Sequence, residues 1–361
     1  MRLLKWSPLL LLLLASGMAS AQAYRLTDLG TLGGASSAAT GINDFGQVVG
    51  YSATSGDAGS HATLWGGGAA TDLGTLGGAG SRAYGINNAG QIVGVADGAG
   101  DGRAALWNGA SARQLAAGPQ ELAGGAGGVA YAINNAGQIA GASVYGGATH
   151  ATVWNGGVRA DLGTTGGAFS EAYGINNRGQ VSGISNISME DDKYNRTGVV
   201  WDAGSGTAVN SLHAAYGIND SGTLTGLQSG LYAPPAIWSA GTTTALGSID
   251  TYGIAYDVNN SGLAVGFLLA TDQPYHAMLW RGNQMVDLNT LYGAADAGFA
   301  YLSIASAVNE HGQIVGTGVT YDGTEHAFLL SPVPEPSAWW LLALGLSVVL
   351  GLARRGRRRS V

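Results

Sequence analysis

One twelve-residue phrase recurs along the chain, and this repetition limits the possible folds more than any other feature. The phrase reads A-Y-G-I-N-N-A-G-Q-I-V-G at residues 83–94. Variants of it surround seven asparagines, whose successive separations are 44, 47, 42, 43, 40 and 50 residues. A repeat of about 40–45 residues is the size of one four-stranded β-propeller blade, so the pattern predicts seven blades. The seven asparagines are Asn43, Asn87, Asn134, Asn176, Asn219, Asn259 and Asn309.

Each unit reads as four strands, here called a to d. Strand a is A-Y-G-I-N, and a tight turn follows it, because Asn suits the first turn position and Gly the position of positive φ. Strand b is Q-I-V-G, strand c is H-A-T-L-W or a variant, and strand d ends in D-L-G. The a–b and c–d turns are short and uniform, whereas the b–c loops vary in length and content. The tryptophans that end strand c are Trp65, Trp107, Trp154, Trp201, Trp238 and Trp280.

The two ends of the array complement each other. The seventh unit has no strand d, and its strand c is expected to end at Leu330, since Pro332 and Pro334 cannot continue a ladder. Residues 24–30 form a strand d that has no strand a before it. The N-terminal strand can therefore complete the seventh blade and remove the exposed edges. We predict an all-β protein, a closed seven-bladed β-propeller over residues 24–331.

The repeat resembles the HAF family of extracellular repeats. The residues that carry the resemblance are H-A-T-L-W at 61–65, H-A-M-L-W at 276–280, H-A-F at 326–328 and D-L-G-T-L-G-G at 72–78. The likeness spans roughly residues 24–330. It implies an extracellular location and supplies no catalytic residues.

The last thirty residues, 332–361, resemble the PEP-CTERM sorting signal of Gram-negative bacteria. Val333, Pro334, Glu335 and Pro336 precede an apolar stretch at 338–353, and five arginines follow it. The stretch is slightly shorter than the about 17–25 residues of a typical membrane span. The resemblance implies recognition by an exosortase-type membrane transpeptidase, a transient inner-membrane anchor, and export to the outer surface or matrix of a polysaccharide-producing bacterium. The alternative is a plain C-terminal anchor.

Residues 1–23 have the layout of a signal peptide. A basic start and an apolar run lead to Ala21-Gln22-Ala23, an A-x-A site for signal peptidase, and Ala19-Ser20-Ala21 is a second option. The chain contains no cysteine. This excludes a lipid-bearing thiol, a disulfide framework and a Cys nucleophile.

The distribution of charged residues limits the classes of ligand that the exported part of the chain can bind. Seven of the 16 basic residues lie in the two terminal segments, whereas all 23 acidic residues lie between Asp28 and Glu335. The exported body would keep nine basic residues against those 23 acids. Nucleic-acid binding needs clustered Lys and Arg, so this balance argues against it and suits contact with a cation or a neutral glycan.

The residues that recur in every unit are expected to be structural. The asparagines occupy positions that turn chemistry already requires, and tryptophans on repeated apolar strands pack between blades. Histidines begin several c strands, but different blades hold them apart. Zinc needs three or four converging ligands, so no metal site is expected from them. Four positions before each strand c end stand His61, Arg103, His150, Thr197, Pro234, His276 and His326.

Two b–c loops contain the candidate contact residues. Asp97 and Asp101 lie in a Gly/Asp loop that could hold Ca²⁺. Glu190, Asp191, Asp192 and Tyr194 form the densest charge cluster of the chain. Because recognition sites sit on variable loops of rigid scaffolds, the b–c face is the expected contact surface.

No cofactor is required by this pattern, and no hydrolase elbow or phosphate loop occurs. The sequence favours a non-enzymatic surface protein with an adhesion, matrix or exopolysaccharide role. The alternative is a propeller enzyme, a lyase or hydrolase acting on extracellular polysaccharide.

Overall fold

The strands form seven four-stranded antiparallel sheets, as the repeat predicts. The computed structural model describes residues 24–98, 102–108, 120–188, 195–230, 233–247, 252–269, 274–282, 284–291 and 298–333. Residues Arg25–Ser331 make one compact unit. The predicted signal peptide and the sorting segment from residue 334 onward lie outside the described residues.

The first three blades each follow the order a, b, c, d from the axis outward. Blade 1 has β2 (Gly33–Ile42), β3 (Val48–Thr54), β4 (Ser60–Gly66) and β5 (Ala69–Asp72). Blade 2 has β6 (Ser81–Ile86), β7 (Ile92–Asp97), β8 (Gly102–Trp107) and β9 (Gln120–Ala126). Blade 3 has β10 (Val129–Ile133), β11 (Ile139–Tyr145), β12 (Ala148–Asn155) and β13 (Val158–Asp161).

The next three blades repeat this order. Blade 4 has β14 (Ser170–Ile175), β15 (Val181–Asn186), β16 (Arg196–Asp202) and β17 (Ser205–Val209). Blade 5 has β18 (Leu212–Ile218), β19 (Leu224–Gln228), β20 (Pro235–Ser239) and β21 (Thr242–Ala245). Blade 6 has β22 (Tyr252–Val258), β23 (Leu263–Leu269), β24 (Tyr275–Arg281) and β25 (Gln284–Asp287). Two short 3₁₀ helices, Ser55–Asp57 and Leu288–Thr290, lie in connections.

Blade 7 joins the two ends of the array. It contains β26 (Phe299–Val308), β27 (Ile314–Thr320) and β28 (Glu325–Pro332), and the N-terminal β1 (Tyr24–Asp28) pairs with β28 as its outermost strand. Strand β28 continues two residues beyond the predicted end at Leu330. As the last residue of its strand, Pro332 can be tolerated without breaking the ladder inside it.

The closing contact uses the same side chains as blades made from continuous chain. His326 Nδ1 lies 2.9 Å from Asp28 Oδ2, and His61 Nδ1 lies 2.8 Å from Asp72 Oδ2 within blade 1. Leu29 N donates to Ala327 O at 3.0 Å, as Leu73 N does to Ala62 O at 2.9 Å. The N-terminal strand therefore occupies the place of an ordinary strand d.

Apolar side chains pack between neighbouring blades rather than around one centre. Leu64 and Leu73 of blade 1 pack with Ile92 and Trp107 of blade 2 in one buried cluster. A similar cluster joins Trp65 of blade 1 to residues of blade 7, so the closing interface is apolar like the others. Each blade thus buries its faces only when both neighbours are present.

Removal of residues 24–30 should lower the melting temperature sharply. Blade 7 would keep three strands, expose the edge of β28 and lose the His326–Asp28 pair. Thermal unfolding followed by circular dichroism measures the effect, and an unchanged melting curve would contradict closure by β1.

Two point variants control for the truncation. Leu26 is buried in β1, so Leu26→Ala should cost about 2–5 kcal/mol of unfolding free energy. The neighbouring Thr27 is exposed, and Thr27→Ala should change stability by no more than about 0.5 kcal/mol. Equal effects of the two variants would show that β1 is not inserted.

Candidate functional site at the propeller axis

The asparagine at the end of each strand a uses its whole amide within the scaffold. Asn134 Oδ1 accepts hydrogen bonds from Ala136 N at 3.1 Å and Gln138 N at 2.9 Å. Its Nδ2 donates to Gln138 Oε1 at 2.8 Å and to the carbonyl oxygen of Asn176 in the next blade at 2.9 Å. One side chain therefore shapes its own turn and joins two blades.

These inter-blade hydrogen bonds form a closed ring. Every repeat asparagine donates from Nδ2 to the main-chain oxygen of its counterpart in the next blade, at 2.9–3.1 Å. The seventh bond runs from Asn309 to Asn43, which are 266 positions apart in the chain. The asparagines are buried, so they have the structural role expected from the sequence and do not form a ligand-binding set.

A second ring lies one residue further along. The main-chain N–H of each residue that follows a ring asparagine donates to the side chain of its counterpart in the next blade, at 2.8–3.1 Å. The two rings line an axial cavity of about 370 Å³. The second-ring residues are Asp44, Asn88, Asn135, Asn177, Asp220, Asn260 and Glu310.

Two second-ring carboxyls have shifted pKa values. Burial raises the pKa of Glu310, and the charges of Asp44 and Asp220 raise it further, against a hydrogen bond from Asn260 N. For Asp220, burial is opposed by hydrogen bonds from the Asn177 and Asn260 amides, which together hold its pKa below the usual value. These carboxyls are thus committed to inter-blade hydrogen bonds.

A β-bulge in strand a turns one side chain per blade toward the axis. In blade 2, Ala83 pairs with Gly94 and Gly85 with Val93, which leaves Tyr84 without a partner across the ladder. The same shift occurs in strand a of all seven blades. Bulges re-aim side chains, and here the bulged residues line a second axial cavity of about 210 Å³.

Five of the seven bulged residues are tyrosines, which form an arc around this second cavity. Neighbouring ring centroids lie 5.1–5.5 Å apart, within the usual range for aromatic pairs. Ser306 and Thr40 occupy the same position in blades 7 and 1, so the arc is open on that side. The tyrosines are Tyr84, Tyr131, Tyr173, Tyr216 and Tyr256.

Charged groups lie at the start of strand a, toward the b–c face. Tyr173 OH donates to Glu171 Oε2 at 2.7 Å. Burial raises the pKa of Glu171, although the Tyr173 hydrogen bond and the charge of Arg196 both lower it. The Arg196 guanidinium lies over the Phe169 ring, with Cζ 4.6 Å from the ring centroid. Burial, aided by the positive charge of Arg196, lowers the pKa of His213.

Asp257 is a half-buried exception among the small residues that follow the bulge. Gly85 and Gly217 hold the equivalent place in blades 2 and 5, where an added Cβ would lie about 3 Å or less from the next blade. The Asp257 carboxylate instead accepts from Val258 N at 2.8 Å and from Val308 N of blade 7 at 2.9 Å. Burial raises its pKa. The carboxylate thus joins blades 6 and 7.

The strand c tryptophans pack between blades, and five of the six are almost fully buried. Trp65, Trp107, Trp154, Trp201 and Trp280 are exposed by 3% or less. Trp107 Nε1 donates to Leu73 O at 2.8 Å, and Trp280 Nε1 donates to Leu246 O at the same distance. Trp238 is only half-buried.

The strand c histidines pair with aspartates of strand d, not with each other. Besides His61 and His326, His150 lies 2.9 Å from Asp161 and His276 lies 2.7 Å from Asp287. Within the described part of the chain, no group of three or more His, Cys, Asp or Glu side chains could hold a metal ion.

Most of the predicted contact residues fall outside the described residues. Asp101, Glu190, Asp191, Asp192 and Tyr194 do so, as do Ala21, Ala23, Pro334, Glu335 and Pro336. Asp97 is described: its main-chain oxygen accepts from Leu76 N and Gly78 N at 3.1 and 2.9 Å. Val333 is exposed.

Sequence reasoning overlooked the tyrosine arc, Glu171 and Asp257. The repeated tyrosine was visible in A-Y-G-I-N, but simple alternation along a strand does not predict which way a bulged residue points. The sequence did contain one signal of the bulge, namely the small residue after the tyrosine. A small residue is required there because neighbouring blades approach closely.

Residues 332–359 match the family model of the PEP-CTERM protein-sorting motif. The chain therefore carries this motif at its C-terminus. No protein with a curated function matches the chain. Among the described residues, no helix is long and apolar enough to cross a membrane. The predicted apolar anchor at 338–353 lies outside those residues.

Three solved structures are distantly similar. TolB from Acinetobacter baumannii is 12% identical with a TM-score of 0.42, over 57% of this chain and 51% of TolB, about half its length. A triple mutant of AofleA from Arthrobotrys oligospora is 12% identical with a TM-score of 0.38, over 74% and 90%. PQQ-bound aldose sugar dehydrogenase from Streptomyces coelicolor is 11% identical with a TM-score of 0.37, over 87% and 99%. At these TM-scores, the likenesses do not bear on function.

Asn134 and Asn135 offer a matched test of the two rings. Asn134→Ala leaves buried main-chain groups without partners and should cost at least about 2 kcal/mol of unfolding free energy. Asn135 accepts only from Asn88 N, at an exposed position, so Asn135→Ala should cost about 0.5–1.5 kcal/mol. Urea unfolding measures both, and a larger loss for Asn135→Ala would contradict the ring's structural role.

Glu171→Gln should stabilise the protein at neutral pH. A raised pKa means that the folded state binds the Glu171 proton more tightly than the unfolded chain does, so ionisation weakens the fold. Glutamine cannot ionise and still accepts from Tyr173 OH. The melting temperature of the variant should exceed that of the wild type at pH 7, and the difference should vanish as pH falls through 4.5.

The Tyr173→Phe background sharpens this measurement. It lacks the hydrogen bond that favours the ionised carboxyl, so the gain from Glu171→Gln at pH 7 should be larger. A gain that grows as the solution is acidified would have the wrong sign.

Proposed function

We propose that this chain is an exported protein of the bacterial cell surface or its extracellular matrix. Its sorting motif supports processing by an exosortase-type transpeptidase, and residues 1–23 support prior cleavage by signal peptidase. The likeness of the repeats to HAF-type extracellular repeats points the same way. We place it in a Gram-negative, polysaccharide-producing host, as this kind of signal implies.

We further propose that the propeller is a non-enzymatic binding module for extracellular polysaccharide. The main support for this proposal is that the two ends of the propeller axis differ chemically. At the a–b end, amides and carboxyls are committed to two inter-blade rings. Toward the other end, the tyrosine arc lines a second cavity, and Glu171 and Arg196 lie near the starts of strands a and c of blade 4, on the side of the b–c loops. Rigid scaffolds present their binding groups in this way.

The excess of acidic residues in the exported part of the chain favours neutral over anionic polysaccharides as ligands. Nine basic residues against as many as 23 acids would repel a polyanionic polysaccharide at low ionic strength. A neutral polysaccharide meets no such barrier. Its ring faces can pack on tyrosine, and its hydroxyls can hydrogen-bond to the phenols and to Glu171.

A propeller lyase or hydrolase is the second candidate, and the Glu171–Tyr173 pair favours it. A carboxyl of raised pKa beside a phenol and a guanidinium is a combination that can move protons. The pKa of Tyr173 is raised, first by burial and then by Glu171, so its hydroxyl stays protonated at neutral pH. In such an enzyme Tyr173 would serve as an acid and not as a base.

One column experiment tests both candidates. The purified protein is passed over immobilised extracellular polysaccharide from the producing bacterium, and the eluate is assayed for new reducing ends and unsaturated sugars. We expect retention without products, weakened by Glu171→Ala combined with Arg196→Ala. Phe45→Ser, which changes a side chain 75% exposed on the a–b face, should bind like the wild type.

Other results of the column experiment would favour the enzyme, contradict the polysaccharide role or relocate the contact surface. Product release that is lost in Glu171→Gln would favour the enzyme. Lack of retention at low ionic strength would contradict the polysaccharide role altogether. Weaker retention of Phe45→Ser alone would move the contact surface to the opposite face.

A further inference from the structure

The connection between blades 4 and 5 is shorter than those between blades 1 and 2 and between blades 3 and 4. Strands β17 and β18 are separated by only two residues, Asn210 and Ser211, whereas eight residues separate β5 from β6 and β13 from β14. The sequence from Val209 to Leu212 therefore lacks the D-L-G-T-x-G-G segment that fills the other two junctions. The missing residues leave an opening between blades 4 and 5.

Trp238 of blade 5 lies beside the shortened connection and is less buried than the other strand c tryptophans. In blade 2, the equivalent Trp107 is covered by the long connection, whose Leu73 also accepts its indole N–H at 2.8 Å. Trp107 is fully buried, whereas Trp238 is half-buried. Among the six strand c tryptophans, Trp238 alone is not fully buried.

A cavity of about 600 Å³ occupies this opening, here called the blade 4/5 cleft. Its apolar part includes Trp238, Val209 and Ile218, of which Val209 and Ile218 are buried. Its polar part includes Asp202 and Asn210, both exposed. The volume falls within the about 300–1,000 Å³ of small-molecule sites and is nearly three times that of the tyrosine-lined cavity.

The polar groups of the cleft retain hydrogen-bonding capacity. Asp202 Oδ2 accepts from Gln180 Nε2 at 3.1 Å, which uses one of about four lone-pair positions on the carboxylate. Asn210 Oδ1 accepts from Thr197 Oγ1 at 3.3 Å, and its amide nitrogen can donate elsewhere. The cleft can therefore accept hydroxyl protons at Asp202 and donate at Asn210.

The charge of the cleft decides the class of ligand. Among the described residues that line it are the Asp202 carboxylate and no Lys or Arg. An anionic sugar would meet repulsion with no compensating cation, whereas a neutral sugar would not. A pyranose combines an apolar ring face, which suits the Trp238 indole, with hydroxyls that suit Asp202 and Asn210.

We propose that the blade 4/5 cleft binds a short neutral segment of a polysaccharide chain, with one pyranose unit stacked on Trp238 and neighbouring units hydrogen-bonded to Asp202 and Asn210. The ligand class rests on the proposed function. The cleft is a separate site from the tyrosine-lined cavity, since their linings share only Ile218.

Fluorescence tests the proposal, because Trp238 can be isolated spectroscopically. The full chain also contains Trp6, Trp339 and Trp340, so the signal of Trp238 is the difference between wild type and Trp238→Phe. This difference should be quenched by acrylamide. Cellohexaose or maltohexaose, which are neutral hexasaccharides, should protect it, and hexagalacturonate, which is anionic, should not.

Binding variants complete the test. Isothermal titration with the protective hexasaccharide should give about tenfold weaker binding to Trp238→Ala, the ratio that about 1.4 kcal/mol of lost contact produces. Asp202→Ala should also weaken binding. Phe45→Ser changes an exposed side chain of blade 1 that lines neither cavity, so it should leave the hexasaccharide affinity unchanged. Melting curves confirm that each variant is folded.

The outcomes separate this proposal from the broader one. If the polysaccharide column retains the wild type and Trp238→Ala equally, and neither hexasaccharide protects Trp238, the cleft proposal is wrong while the proposed function stands. Protection by hexagalacturonate alone would overturn the neutral-sugar assignment. If the column retains neither protein, the proposed function itself fails.

Discussion

The rest of the structure depends on the ring of asparagine amides at the end of the innermost strands. A circle of seven hydrogen bonds closes only if every a–b turn holds its amide at the same distance and angle from the axis. Asn134 shows how this is achieved, since the same side chain fixes its own turn and reaches the next blade. The phrase N-x-x-G occurs in every unit because each asparagine must both fix its own turn and hydrogen-bond to the next blade.

The ring also determines where variation is possible. Residues at the a–b end are committed to their neighbours, so a change in one blade disturbs the next. Toward the other end, strands are joined by loops, and side chains such as Glu171 and Arg196 depart from the repeat without breaking a ring. Differences in sequence between blades are therefore concentrated at the end of the axis where no ring of hydrogen bonds joins the blades. The shortened connection at Asn210 and Ser211 is a similar departure at the rim of the scaffold.

The architecture could be predicted from the sequence because its determinants are periodic. The blade number, the four-stranded unit, the turn asparagines and the pairing of residues 24–30 with the seventh unit all follow from spacing and turn chemistry. The candidate site is different. Tyr173 faces the axis because of a bulge, and Trp238 borders a cavity that it shares with residues of the neighbouring blade. Both are properties of three-dimensional neighbours, which single-strand patterns do not contain.

Closure by β1 has a consequence for the order in which the protein folds. Asp28 leaves the ribosome and crosses the membrane almost 300 residues before its partner His326. Until β28 arrives, β1 has no sheet to join, and the growing array presents an open strand edge at each end. Contacts of such long sequence separation form slowly, and unpaired edges invite association with other chains. The ring that makes the mature protein self-contained thus makes the nascent chain dependent on protection during export.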